Sequence, residues 1–273
     1  MSVINIGIVG NGFVGGATSQ LGCDLNQIKI FDCDPEKCQP IGTTMSDIAL
    51  SDIIFVAVPT PANKDGSCYL NIVESVVEQL REIKKDCKIV IRSTVPPGTS
   101  KRLGCMFMPE FLTEKNAIND FINNALWIFG SQDGDILVQI IKNAKKSGCI
   151  VSDNTVVMDQ SEAELIKYVR NCFLATKVSF FNEVYEVCQH LGVDFDKVRL
   201  NAALDKRIGL SHTMVPGPDG KRGFGGHCFP KDALAWIHFC PIEYSIVNAA
   251  IERNLNVDRP QKDWQNDKGR AVV

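Results

Sequence analysis

A chain of 273 residues, 45% hydrophobic and 22% charged, carries enough apolar material for one large or two modest buried cores. Its 29 basic and 32 acidic residues leave a formal charge of -3 without any Lys/Arg block, which excludes an electrostatic footprint for nucleic acid or an anionic membrane and leaves small molecules as the default partners. No apolar run approaches a membrane span, the opening "MSVINIGIVG" has no basic leader, and the eleven cysteines are scattered without CxxC pairs, so a soluble, reducing, cytoplasmic setting without a metal site is expected.

The first element, "VINIGIVG", reads as a buried strand running into Gly10, Gly12 and Gly15 in G-x-G-x-x-G spacing and then a helix start. In a dinucleotide-binding turn the first glycine permits the bend, the second lets backbone approach a pyrophosphate, and the third lets helix pack on strand. A second strand, "QIKIFDCD", ends at Asp32, 20 residues after Gly12, where a carboxylate accepts hydrogen bonds from an adenosine ribose and repels a 2'-phosphate; NAD is favoured over NADP. The plainer reading is a surface turn and a carboxylate that caps a strand. "DIIFVAVPTP" is a third strand, a helix spans about Asn71 to Lys85, and "KIVIRSTVPPGT" is a fourth strand ending at Thr94. "CMFMPEFL" and "ALWIFG" are further strand candidates, and "CIVSD" reads as the last strand of this part. Strand and helix alternate, which predicts an α/β, Rossmann-like, doubly wound parallel sheet over residues 1–158, with ligands gathered at the C-terminal strand ends where Thr60 and Thr94 fall.

Residues 159–273 read as a bridging helix and a smaller, mainly helical central domain. Ala163, Ile166, Val169, Phe173, Val178 and Phe181 recur at mostly helical spacings from Gln160 to about Leu191, with no internal proline or glycine. Lys167 and Asn171, four apart, share one face of that helix, and taken alone they read as solvated surface. Gly192 stops the helix, a short helix follows, and "VPGPDGKRGFGG" is a glycine-rich loop. Pro230 suits the first turn of another helix, which would place Cys228 just before a positive helix end that favours a thiolate, with Asp232 four residues on.

Seven motifs, "GIVGNGFVG", "VAVPTP", "RSTVPPGT", "MPEFLTE", "AELIKYVRNCFLATKVSFFNE", "VPGPDGKRGFGGHCFPKD" and the final "DWQNDKGRAVV", together resemble the UDP-glucose/GDP-mannose dehydrogenase family, most closely its members that oxidise UDP-glucose. The resemblance implies oxidation of a primary alcohol to a carboxylate with two NAD in succession, through a thiohemiacetal and a thioester on Cys228. It implies that Lys167 and Asn171 stabilise charge on the substrate oxygen, that Asp232 orients Lys167 and activates water, and that Thr94 and Glu114 position a water beside the nicotinamide. Glu110 and Glu114 are expected one helical turn apart. Phe13, Val14, Lys37, Thr60 and Lys231 match cofactor contacts, and Glu110, Phe111, Leu112, the loop Gly217 to Lys221 and Gly225 match sugar-nucleotide contacts. A homodimer through the long helix and central domain is implied too.

Two departures stand out. The connection "DPEKCQPIGTTMSDIALSDIIF" between the second and third strands is shorter than the family's, and the family's third domain is missing, so the chain resembles a short form whose nucleotide contacts are reduced. A dehydrogenase for another sugar nucleotide, such as a UDP-N-acetylhexosamine or GDP-mannose, and a non-catalytic NAD-binding protein stay open as alternatives.

Overall fold

The computed structural model describes residues 2–240 and 242–273. The chain divides into two compact units, the first running to Thr60 and again over Leu70–Lys167, the second comprising Pro61–Tyr69 and Tyr168–Val273.

The first unit is a seven-stranded sheet among the described residues: β1 Ile4–Val9, β2 Asn26–Phe31, β3 Ile53–Val56, β4 Ile89–Ile91, β5 Met106–Phe107, β6 Trp127–Gly130 and β7 Thr155–Met158. The strand order is β2-β1-β3-β4-β5-β6-β7, and every pairing is parallel except β5 with β6. The chain leaves β1 for β2 on one side and returns to β3 on the other, which opens a crevice at the C-terminal end of β1. The helices are α1 Phe13–Thr18, α2 Met45–Ala49, α3 Asn71–Ile83, α4 Thr99–Arg102, α5 Ala117–Ile122 and α6 Asp135–Lys146. Side-chain alternation explains the two cores. Ile6, Ile8 and Phe55 point to the face covered by Ala17, Phe121, Leu137 and Ile140, and Val9, Ile54 and Val56 point to the face covered by Ile48, Val73, Val77 and Leu80.

The long helix α7 spans Gln160–Leu191, and its first two turns belong to this unit. Gly130 ends β6 where any Cβ would come within 2.8 Å of the Gln160 Cα, so strand and helix meet at backbone distance. The buried Glu164 carboxylate accepts the Gly98 and Ser100 amides at 2.5 and 2.7 Å, which fixes the rotation of the helix about its axis.

The second unit contains the rest of α7, then α8 Phe195–Ala202, α9 Phe229–Phe239 and α10 Ile246–Arg253. Its core joins Cys172, Ala175, Phe224, Ala233 and Ile251, and a smaller cluster joins Phe181, Cys188 and Phe195. Gly192 takes φ +66° and ends α7 as its sequence position implies.

Three local expectations change. The segment "CIVSD" is a bend: the Val151 amide donates to Ile122 O and its carbonyl accepts from Lys145 Nζ, so the backbone is spent on neighbouring helices, and the last strand is Thr155–Met158. The fourth strand stops at Ile91, because the Arg92 and Ser93 amides both turn back to Val56 O. Along α7 the apolar Val169 and Phe173 are exposed.

Candidate active site

The glycine turn of the first unit has the geometry its spacing implies. Gly10 has φ +93° and a Cβ there would lie 2.5 Å from Ala57 O, while a Cβ on Gly15 would lie 1.8 Å from Gly10 O. Gly12 has nothing within 4 Å of its missing Cβ and sits at the start of α1 without a side-chain cap, so the amides of Phe13 and Val14 begin an open turn. Asp32 follows β2, accepting the Asn11 amide at 2.6 Å on Oδ2 and the Asp34 amide at 2.9 Å on Oδ1. Burial pushes its carboxyl up, but these amides, with Cys33 and Lys37, outweigh it and hold the group below the usual carboxylate range. Each oxygen keeps acceptor capacity for a ribose hydroxyl, and the open backbone at Gly12 suits a pyrophosphate, so these residues fit a dinucleotide. Lys37 is exposed and pairs with Asp34 at 3.2 Å. Thr60 and Thr94 are buried in the loops after β3 and β4.

A second cluster lies beyond β4 and β5. Lys167 Nζ donates to Glu110 Oε1 at 2.6 Å, with both side chains about 5% exposed or less, while Glu110 Oε2 accepts the Leu112 amide at 2.8 Å. Burial raises the Glu110 carboxyl, but the Lys167 charge and hydrogen bond, the Leu112 amide and the Arg92 charge together hold it low. Arg92 donates from Nη1 to Met108 O and Pro109 O at 3.2 and 3.3 Å; full burial pulls its guanidinium down to about 10, against the pull of Glu110. Phe111 and Leu112 are half-buried beside Glu110. Glu110 and Glu114 do not share a helical turn: residues 110–113 are irregular and Glu114, exposed, opens a separate 3-10 turn. The Glu110 carboxylate binding the amide two residues on competes with helix there.

In the second unit, Cys228 is the N-cap of α9, with Pro230 in the second helical position. Its backbone oxygen accepts the Asp232 amide at 3.0 Å. The Asp232 side chain is buried and accepts from Asn171 Nδ2 at 2.6 Å and from Lys231 Nζ at 2.5 Å. Burial works against the Lys231 charge, but Asp232 together with the sulfurs of Cys228 and Cys68 raises its affinity for the proton. Lys231 and the N-terminus of α9 thus both lie close to Cys228.

Lys167 and Asn171, which their helix taken alone would make solvated surface, are both buried, one turn apart on α7. The carboxylate bonded to Lys167 is that of Glu110; the Asp232 oxygens are taken by Asn171 and Lys231. In the loop Gly217–Lys221, the Gly217 amide donates to Lys221 O at 2.8 Å and Lys221 Nζ pairs with Asp263. Gly225 is glycine for a packing reason: a Cβ would lie 2.3 Å from the guanidinium carbon of Arg259, which is buried between Asp219 and Asp263. Sequence reasoning missed Arg92 and Arg259. A lone arginine at the end of the apolar "KIVI" strand was the available signal for the first; Arg259 left none.

Among the described residues no helix is long and apolar enough to cross a membrane. A protein-family model described as the UDP-glucose/GDP-mannose dehydrogenase family, NAD binding domain, matches residues 41–145, and the same family's central domain matches residues 161–256. The UDP-glucose 6-dehydrogenase of Rickettsia bellii is 38% identical over 200 residues, 68% of this chain and 44% of that protein. The Pseudomonas aeruginosa enzyme of the same name is 37% identical over 211 residues, 70% of this chain and 45% of that protein. The chain therefore spans about half the length of the curated relatives it matches. Among solved structures, a UDP-glucose dehydrogenase from the archaeon Pyrobaculum islandicum superposes with a TM-score of 0.78 at 29% identity, covering 92% of this chain and 68% of that one.

Proposed function

Because the chain belongs to the UDP-glucose/GDP-mannose dehydrogenase family, we propose that it is an NAD-dependent nucleotide-sugar dehydrogenase that converts the primary alcohol of UDP-glucose to the carboxylate of UDP-glucuronate. The observation that carries the reading is Cys228 at the head of α9, beside Lys231 and an Asp232 carboxylate already bonded to Asn171, all inside the segment matched by the family's central domain. NAD, when bound, would supply the hydride acceptor for each of two oxidations; the Gly10–Gly15 turn with Phe13 and Val14, and Asp32, would hold it, with Thr60, Thr94 and Lys231 as further proposed contacts.

The chain's own groups divide the remaining work. Lys167 has two N–H bonds left after its bond to Glu110, and Asn171 has one after its bond to Asp232, enough to hold a substrate oxygen as negative charge develops on it. Once the alcohol has become an aldehyde, the Cys228 sulfur adds to its carbon and the carbonyl oxygen becomes a hydroxyl, giving a thiohemiacetal. Its oxidation gives a thioester. Water then breaks the carbon–sulfur bond, leaving carboxylate and restoring the thiol, with Asp232 and, through a water beside Thr94, Glu114 as proton acceptors. Glu110, Phe111, Leu112, Gly217, Lys221 and Gly225 are the proposed sugar-nucleotide contacts.

A homodimer belongs to the same reading. Leu165, Val169, Phe173, Phe180, Val187 and Leu191 form an exposed apolar stripe down α7, a face that a second copy would cover.

The test is NADH counted at saturating NAD and limiting UDP-glucose, with the product identified by mass. About two NADH per sugar and UDP-glucuronate are expected. NADH only from a UDP-N-acetylhexosamine or GDP-mannose would reassign the substrate. Silence across such a panel, with NAD still bound, would leave an NAD-binding protein and defeat the catalytic reading.

A further inference from the structure

The loop that delivers Cys228 is held at successive points by one later segment of the chain. The Asn254 side chain accepts the Phe224 amide at 2.8 Å and donates to Phe224 O at 2.9 Å. Gly225 lies directly on the buried Arg259. Gly226 comes next, exposed, at φ +72° with open space where a Cβ would stand, and it opens the turn 226–228 that leads into α9. His227 follows, and its Nδ1 pairs with the Asp267 carboxylate. Cys228 then opens α9 in a helical conformation, φ -93° and ψ -56°, without a side-chain cap.

Asp267 is itself anchored. Its amide donates to the carbonyl of the buried Trp264 at 3.1 Å, and its carbonyl accepts from Ala271 at 3.0 Å. Ala271 O accepts the Ala62 amide at 2.9 Å, and the Val273 amide donates to Ala62 O at 3.0 Å. The Pro61–Tyr69 segment returns to α9: a Cβ on Gly66 would lie 3.2 Å from the Leu234 Cβ, and His238 Nε2 donates to Asp65 O at 2.6 Å. A closed circuit of contacts therefore runs from α9 through Pro61–Tyr69 and Asp267 to the residue preceding Cys228.

We infer that Asp267, acting through His227, is a positioning residue for the Cys228 sulfur. Upstream of the thiol His227 sits inside the turn 226–228, between a glycine in left-handed backbone and the N-cap of α9, so its hold on Asp267 bears on the orientation of the 227–228 peptide. That peptide fixes the direction of the Cys228 Cα–Cβ bond, and a sulfur displaced by about 1 Å loses roughly a hundredfold in an attack that needs aligned atoms. Asp267 lies outside residues 161–256, so the family comparison says nothing of it.

The inference rests on Cys228 being the nucleophile, and its test separates the two. Cys228 alkylation by iodoacetamide, followed by peptide mass mapping at neutral pH, needs neither substrate nor turnover. In Asp267→Asn and in His227→Asn, we expect the alkylation rate to change by at least about threefold in either direction, with kcat about tenfold or more lower and the NAD dissociation constant unchanged. The double variant should be no worse than either single one, and Asp267→Glu should recover part of the loss. Thermal unfolding establishes that each variant is folded; if Asp267→Asn is not, Asp267→Glu and His227→Asn carry the test. Alkylation within about 1.5-fold of the parent in folded variants, or additive losses in the double variant, would overturn the assignment. A parent that never oxidises a sugar nucleotide would defeat the function while the alkylation result still decides the role of Asp267.

Discussion

Replacing Glu110 by glutamine tests the most buried charge pair of the first unit. The Lys167 ammonium and the Glu110 carboxylate meet at 2.6 Å with side chains 4% and 5% exposed, and Arg92, also buried, adds a second cation. The glutamine would keep the shape and an acceptor oxygen but leave two cations without their anion. Removing one partner of a buried pair costs about 3–5 kcal/mol, and taking the lower figure the melting temperature should fall by roughly 6–12 °C. Urea unfolding of parent and Glu110→Gln at pH 7, followed by tryptophan fluorescence, measures the difference. The pH dependence has a definite sign. The Glu110 carboxyl is held below its ordinary value, burial being outweighed by Lys167, so its contribution is complete above the ordinary carboxylate pKa and is lost as pH falls through the lower folded value. The gap between parent and variant should therefore narrow below about pH 4.5. The pair of changes Lys167→Met with Glu110→Leu should recover much of the loss, because it removes both charges of the direct pair. A gap under about 1 kcal/mol at pH 7, or one that does not narrow in acid, would refute the reasoning.

Asp32→Ala should weaken NAD binding by about 1–3 kcal/mol in calorimetry, since it removes the ribose acceptor and the bond that shapes the Asn11 amide; an unchanged affinity would remove Asp32 from the cofactor site. In Cys228→Ser, acid release should fall by orders of magnitude while the protein stays folded, and acid formed at the parent rate would end the thioester route. Introducing charge into the α7 stripe with Phe173→Glu and Phe180→Glu should convert a dimer to a monomer in light scattering, whereas a parent that is monomeric and active would dispose of the dimer.

What the sequence disclosed depended on how far apart the partners lie. The glycine turn was legible because its causes are local: Gly15 meets Gly10 O, and the bend needs the φ +93° of Gly10. The extent of α7 was legible from its uninterrupted helical spacing and from Gly192. Its buried face was not, because periodicity finds apolar residues on the assumption that they are the ones covered. On α7 the two are exchanged in part, with Lys167 and Asn171 inside and Val169 and Phe173 outside. Such an exchange is what a polar site on one side and an unpartnered surface on the other produce. "CIVSD" misled for a related reason: Ile150 is buried against the sheet core, but its neighbours' backbone bonds go to helices, so the same apolar letters make a packed bend. Arg259 was silent, and Arg92 offered only its place at the end of an apolar strand, because burial of a charge is decided by carbonyls and carboxylates that the flanking residues do not specify.

The division of the chain into its two units has a consequence for anyone who would separate them. The polypeptide passes from one unit to the other three times, after Thr60, after Tyr69 and after Lys167. No single cut yields two self-sufficient halves. A fragment ending at Lys167 would carry Pro61–Tyr69 stripped of Leu234, His238 and Ala271, and its complement would lack the peptide onto which its own last residues are stitched. Modular dissection would have to excise and graft that nine-residue loop, because covalent order and structural membership do not coincide here.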